Sequence, residues 1–283
     1  MFDIFLTDEA GEQLERLKID KGLSKRHKAV KKAIPRIEKA ARAVSRAYLA
    51  GNRTFFIGAG TSGRLGVLEA AELPPTYGVG PGAFTALMAG GEKAVFHSKE
   101  GAEDVFDDGR LEISKLARKG DVVIGIAASG ITPYVRGGLA AGKRKGATTI
   151  LLTCNPRERS AEAAVTVALD VGPEPISGST RMKSGTATKL ALNMITTSAM
   201  VISGKVYRNW MVDVKTTSQK LSLRAERIAA TLGKVPQEEA RRLLKLTRND
   251  VKTAIVMARR EINLKKARVL IKKHRGFLKA ILG

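Results

Sequence analysis

The chain has 283 residues, 50 Lys and Arg against 27 Asp and Glu, and a formal net charge of +23. That length suits one large domain or two smaller ones, and a hydrophobic fraction of 43% excludes a disordered tail. One cysteine and three widely spaced histidines exclude a disulfide framework, a zinc site built from several thiolates and a His-rich metal centre.

No apolar run approaches the roughly 18–20 residues of a membrane helix, and the start of the chain is acidic, without the cationic region of a signal peptide. A soluble cytoplasmic protein without membrane contact is expected. The charge excess attracts phosphate backbones in principle, but it is unevenly placed. Residues 1–50 carry a net +5, residues 51–214 only +4, and residues 215–283 +14. The last segment holds Phe277 as its one aromatic residue, which gives bases little to stack on. A solvated helical surface is the better reading there, and a nucleic-acid partner is not expected.

Apolar residues recur every three to four positions over 27–50, which predicts an amphipathic helix containing Pro35 and ending at Gly51-Asn52. A short strand follows at 54–57. Gly58-Ala-Gly60-Thr61-Ser62-Gly63 then opens a helix over about 64–72, stopped by Leu73-Pro74-Pro75. A second strand is expected at 84–88, helix over most of 100–118, and a buried strand at 121–127. After Ser129-Gly130 come a helix over 133–145 and strands at 148–153 and 165–171. A long helix at 184–203 follows, and the chain is helical and basic beyond 215. The repeated strand, small-residue turn, helix unit means βαβ crossovers, an α/β fold and a doubly wound parallel sheet. Three parts are expected: an N-terminal helical segment 1–50, a central sheet domain 51–214 and a helical C-terminal subdomain 215–283.

Ligands of such sheets bind beyond the carboxyl ends of the strands, where both Gly/Ser turns fall. The first turn matches the G-x-G-x-x-G dinucleotide pattern, but no Asp or Glu lies between Glu72 and Glu92 to hold a ribose. Free amides and the hydroxyls of Thr61 and Ser62 suit a phosphate instead. Ser129-Gly130-Ile131-Thr132 is a second such turn; alone, it is equally a helix N-cap. Together the two favour one small phosphorylated metabolite. Ser177-Gly178-Ser179-Thr180-Arg181-Met182-Lys183-Ser184-Gly185-Thr186 sets two cations among hydroxyls at the start of the 184–203 helix, and again capping is an equal alternative. The histidines are poor acid–base candidates: His27 and His274 lie in basic helical stretches, and His97 in a mid-chain loop. Among carboxylates, Glu72 falls in the last helical turn before the prolines, where the negative helix end favours the protonated acid. Glu103 lies in the acidic cluster Glu100-Gly-Ala-Glu103-Asp104. Taken singly, each is better explained as a surface carboxylate.

These segments together resemble the N-acetylmuramic acid 6-phosphate etherases of the sugar isomerase (SIS) fold. The resemblance rests on 57–66, Glu72-Leu-Pro-Pro-Thr-Tyr-Gly78, 89–92, 100–104, 125–130, 132–135, Cys154-Asn-Pro156, Gly178-Ser-Thr-Arg-Met-Lys183 and Met211-Val-Asp-Val214, with a fainter match at 252–257. It implies an SIS-type sheet and cleavage of the D-lactyl ether of N-acetylmuramic acid 6-phosphate without a cofactor or metal. Glu72 and Glu103 match the two catalytic glutamates. Ser62, Ser129 and Thr132 match phosphate ligands, with Gly60, Thr61 and Gly130 assisting and Ser179, Arg181 and Lys183 near the substrate. A homodimer is implied as well. The sequence departs from the family pattern at Ile131, commonly Arg, at Glu69-Ala-Ala-Glu72-Leu for Asp-Ala-Ser-Glu-Cys, and in the first 25 residues, which lack the usual Thr-Glu-x-x-Asn. The related glucokinase regulatory proteins supply the alternative: a non-catalytic phosphosugar-binding regulatory protein.

Overall fold

The computed structural model describes residues 25–174 and 176–283, with side chains from Lys28 onward. The divergent start of the chain, much of the expected 1–50 segment and the side chain of His27 lie outside the described residues. Two compact units emerge, one running to Ala71 and including Pro81–Ala199, the other made of Glu72–Gly80 and Met200–Gly283.

In the first unit, helix α1 (Lys25–Leu49) carries Pro35 in its interior. Strand β1 (Thr54–Gly58) follows, then α2 (Gly60–Tyr77), β2 (Phe84–Met88), α3 (Phe106–Leu116), β3 (Val122–Ile126), α4 (Pro133–Arg144), β4 (Thr148–Thr153), β5 (Val165–Ala168) and α5 (Lys183–Ile202). The five strands form one parallel sheet in the order β2-β1-β3-β4-β5. The expected α/β doubly wound sheet is present. Phe55, Ile57, Val123 and Leu151 point to one face, where they form a core with Ile113, Tyr134, Val135 and Leu139 of α3 and α4. Phe56 and Ile126 point to the other face, where Gly66 lets α2 approach: a Cβ there would lie 3.0 Å from the Phe56 Cβ. Period-two alternation, buried on both sides, is what a parallel sheet requires.

One expectation is corrected. The helix after the first turn does not stop at Leu73-Pro74-Pro75 but runs through both prolines to Tyr77. Each proline removes one N–H, yet Gly78 N closes the last turn on Pro74 O at 2.9 Å. The stretch 100–118 is mostly helical, as expected, with a 3-10 turn, Ala102–Asp104, preceding α3.

In the second unit, a two-residue hairpin, β6 (Val206–Tyr207) with β7 (Trp210–Met211), precedes five helices: α6 (Gln219–Gly233), α7 (Gln237–Thr247), α8 (Val251–Arg260), α9 (Leu264–Lys273) and α10 (Lys279–Leu282). They enclose a core of their own that includes Val212, Val214, Ile228, Leu244, Ile255 and Ile281. Ser218, Asp250 and Asn263 cap α6, α8 and α9 through side-chain oxygens. Two of its acids are paired locally, Glu226 with Arg241 at 3.1 Å and Glu239 with Arg242 at 2.7 Å.

Candidate active site

β1 and β3 are neighbours, but the chain leaves β1 toward β2 on one side and reaches β4 on the other. The sheet's topological switch therefore lies between them, and a ligand crevice is expected at their carboxyl ends. The two hydroxyl-rich turns leave those ends. In the first, Gly58 and Gly63 permit a close approach that no side chain would allow: a Cβ on Gly58 would lie 2.7 Å from Gly63 N, and one on Gly63 2.7 Å from Gly58 O. Gly60 has φ of +53° and opens α2. The glycine pattern thus reflects tight strand-to-helix packing, which turns the first amides of α2 toward the sheet edge. Thr61 and Ser62 are half-buried beside them.

In the second turn, Gly130 is buried with φ of +82°. Thr132 is the N-cap residue of α4, yet its side chain makes no capping hydrogen bond. Ser129 Oγ accepts from the amide of Ile131 at 3.3 Å. Capping therefore does not account for the Thr132 hydroxyl. The turn is held from behind by Arg136, whose Nε donates to Gly130 O at 2.9 Å while its guanidinium pairs with Glu158 and Glu162. The Ser160 hydroxyl, and then Arg136, hold the Glu162 carboxyl below the usual carboxylate range despite its burial.

The third polar loop reaches the first turn, since a Cβ on Gly185 would sit 3.5 Å from Thr61 Cγ2. The loop hydroxyls do not cap α5. Glu174 does, accepting from the amides of Lys183 and Ser184 at 2.9 Å each. Burial pushes the Glu174 carboxyl up, but these two amides outweigh it and hold it below the usual range. Lys183 Nζ donates to Pro173 O at 2.7 Å, so its ammonium is engaged within the loop. Arg181 is exposed and Ser179 half-buried. Asn155, just past β4, ties the edge together by donating to Ser129 O at 3.2 Å. The neighbouring Cys154 Sγ lies 3.8 Å from Ser184 O. Sequence reasoning missed the supporting roles of Arg136, Asn155 and Glu174; only Asn155 fell inside a quoted motif.

Glu103 is exposed on the 3-10 turn Ala102–Asp104 of the first unit. Its neighbour Ala102 is buried in the core under α3 and α4, which anchors the turn. Upstream, Arg64 of α2 donates to Ala94 O at 2.8 Å and Val95 O at 2.7 Å and pins the preceding turn. Glu72 is exposed and belongs to the second unit. Because α2 continues to Tyr77, Glu72 is not in its last turn, and the expected helix-end placement is corrected. Three residues earlier, the buried Glu69 accepts from Thr196 Oγ1 at 2.5 Å and from Asn193 Nδ2 at 2.9 Å, with Lys189 Nζ at 3.6 Å. This network fastens α2 to α5. His97 is exposed.

The family model of the glucokinase regulatory protein N-terminal SIS domain matches residues 36–143. The chain is 47% identical over 273 residues to the N-acetylmuramic acid 6-phosphate etherase of Clostridium botulinum (strain Loch Maree / Type A3), a match covering 94% of this chain and 89% of that relative. The chain belongs to the N-acetylmuramic acid 6-phosphate etherase family. A Salmonella paratyphi B etherase is likewise 47% identical over 256 residues, covering 90% of this chain and 86% of its own. Among solved structures, a phosphoheptose isomerase from Neisseria gonorrhoeae is similar at 19% identity with a TM-score of 0.44, covering 63% of this chain and 91% of that one. The etherase family and its SIS fold are those implied by the motif resemblance.

Proposed function

We propose that this chain cleaves the D-lactyl ether of N-acetylmuramic acid 6-phosphate, giving N-acetylglucosamine 6-phosphate and D-lactate. It is then a carbon–oxygen lyase of amino sugar and peptidoglycan catabolism. The observation that carries this reading is the pair of hydroxyl-rich turns at the switch point of an etherase-family chain, whose amides and hydroxyls suit a phosphate. Ser62, Ser129 and Thr132 bind the phosphate with Thr61 and the amides at Gly60 and Gly130. Ser179, Arg181 and Lys183 border the substrate.

The chemistry needs two proton-transfer groups. In the open-chain sugar the C1 aldehyde makes the C2 proton acidic. Glu103 removes that proton, the C2–C3 double bond forms, and the C3–O bond breaks. The departing lactate oxygen takes a proton from Glu72. Water then adds at C3, giving its proton to Glu72 while Glu103 returns one to C2. Both carboxyls end as they began, and the net reaction consumes one water. Each positioned acid or base contributes about 10²–10⁴-fold.

The enzyme acts as a homodimer in the cytoplasm. Exposed Phe96, Val105 and Phe106, which flank Glu103 along the chain, support a subunit interface. Among the described residues no helix is long and apolar enough to cross a membrane.

The test is incubation with N-acetylmuramic acid 6-phosphate and assay of D-lactate. A second reading, a non-catalytic phosphosugar-binding regulator, is favoured by the match to a regulatory-protein SIS domain. Calorimetric binding of the sugar phosphate without lactate release would select it.

A further inference from the structure

The second unit holds a buried ion pair that the proposed chemistry does not use. Lys252, on α8, is 7% exposed, and its Nζ lies 2.5 Å from Asp213 Oδ2. The same ammonium donates to Gly204 O at 2.8 Å, and Lys205 Nζ approaches Asp213 Oδ2 at 3.5 Å. A lysine this deep is costly unless paired, and removing one partner strands the other's charge. Asp213 and Lys252 come from the two segments, 211–214 and 252–257, that no site residue explains.

Asp213 also abuts the end of α2. A Cβ on Gly78 would lie 2.3 Å from the Asp213 backbone oxygen, so only glycine fits, at a φ of +60°. Two residues on, Lys215 N faces Pro75 O at 3.5 Å. The chain at 213–215 is therefore seated directly on Pro75–Gly78, beginning three residues past Glu72.

We propose that the Lys252–Asp213 pair is a positioning device for Glu72: it locks segment 213–215, which in turn holds the end of α2 at the angle that aims the Glu72 carboxyl. Lys252 and Asp213 are positioning residues and touch no substrate. The inference rests on the catalytic reading of Glu72.

A double-mutant cycle in the full chain tests it, using steady-state lactate release from N-acetylmuramic acid 6-phosphate. Lys252→Met is expected to lower kcat about 10- to 100-fold with KM within about threefold, the signature of a misplaced reacting group. In a Glu72→Gln background the same change should leave the residual rate within about twofold, because Lys252 acts through Glu72. An equal fold-loss in both backgrounds, or unchanged kcat in a folded variant, overturns the proposal. Full turnover by Glu72→Gln alone instead overturns the reading of Glu72, a separate and recognisable result. If Lys252→Met does not melt cooperatively, Asp213→Asn enters the same cycle under the same criteria.

Discussion

Gly58 and Ile126 are register partners in adjacent parallel strands, and each is the last residue of its strand. The turns that follow them therefore start level with one another at the switch point. Neither turn alone makes a case for a phosphate site; their common origin does. The close contact of Gly63 with Gly58 keeps the first turn in place, so Gly63→Ala is expected to be disruptive. Its Cβ would meet Gly58 O at 2.7 Å and Met88 Cγ at 2.9 Å, and the backbone oxygen has little room to yield. Stability should fall by about 1–3 kcal/mol, and KM for the phosphosugar should rise by about tenfold or more. Thermal melts and steady-state kinetics read the two effects.

The two glutamates should fail in different ways. Glu72→Gln and Glu103→Gln should each slow lactate release by about 10²–10⁴-fold, with calorimetric affinity for the sugar phosphate little changed. Only Glu103→Gln should also block exchange of the C2 proton with deuterated solvent, followed by mass spectrometry. Exchange lost in Glu72→Gln and kept in Glu103→Gln would reverse the assigned roles.

Glu69→Ala removes a buried acceptor shared by Thr196 and Asn193; Thr196 can still donate to Leu192 O at 3.1 Å, so the loss falls mainly on the Asn193 amide. A loss of about 1–3 kcal/mol is expected, read as a lower midpoint in urea with an unchanged slope. An unchanged midpoint would show that the network contributes nothing to holding α2 on α5.

Glu174 gives a pH dependence with a defined sign. Its proton affinity is depressed in the folded chain by the Lys183 and Ser184 amides. Its stabilisation is thus complete above the ordinary carboxylate range and is lost as pH falls through the lower, folded value. Glu174→Ala should lower Tm at pH 7, and the gap to the parent should narrow steadily below about pH 4.5. A constant gap down to pH 3 would mean that the carboxylate is not what caps α5.

The sheet was legible because buried parallel strands read as short apolar runs, as at 122–126 and 148–153, each bounded by turn residues. The hydroxyls of the two turns were legible for the same reason: they follow such runs directly. The end of α2 was misread because proline's effect is local. Two missing N–H groups remove two hydrogen bonds, and the chain between Glu72 and Tyr77 keeps its helical path. The hairpin at 206–211 went unseen because two-residue strands are too short to show alternation. Arg136 and Glu174 act on partners far along the chain, Arg136 on Glu158 and Glu162, Glu174 on amides nine and ten residues ahead. No local pattern encodes contacts of that kind. The two glutamates proposed as catalytic were assigned by family motif rather than by geometry, and no spacing rule would have chosen them over other surface carboxylates.

The helical region that follows the sheet carries 19 cations and only five acids between 215 and 283, and the pairs Arg241–Glu226 and Arg242–Glu239 already occupy two of those acids. The remaining like charges on α9 and its neighbours push against one another. Mobile anions gathering around those helices weaken that push over a Debye length of about 8 Å at physiological ionic strength. This last quarter of the chain is thereby built to be firmer in brine than in dilute buffer, the reverse of a fold stitched together by surface ion pairs.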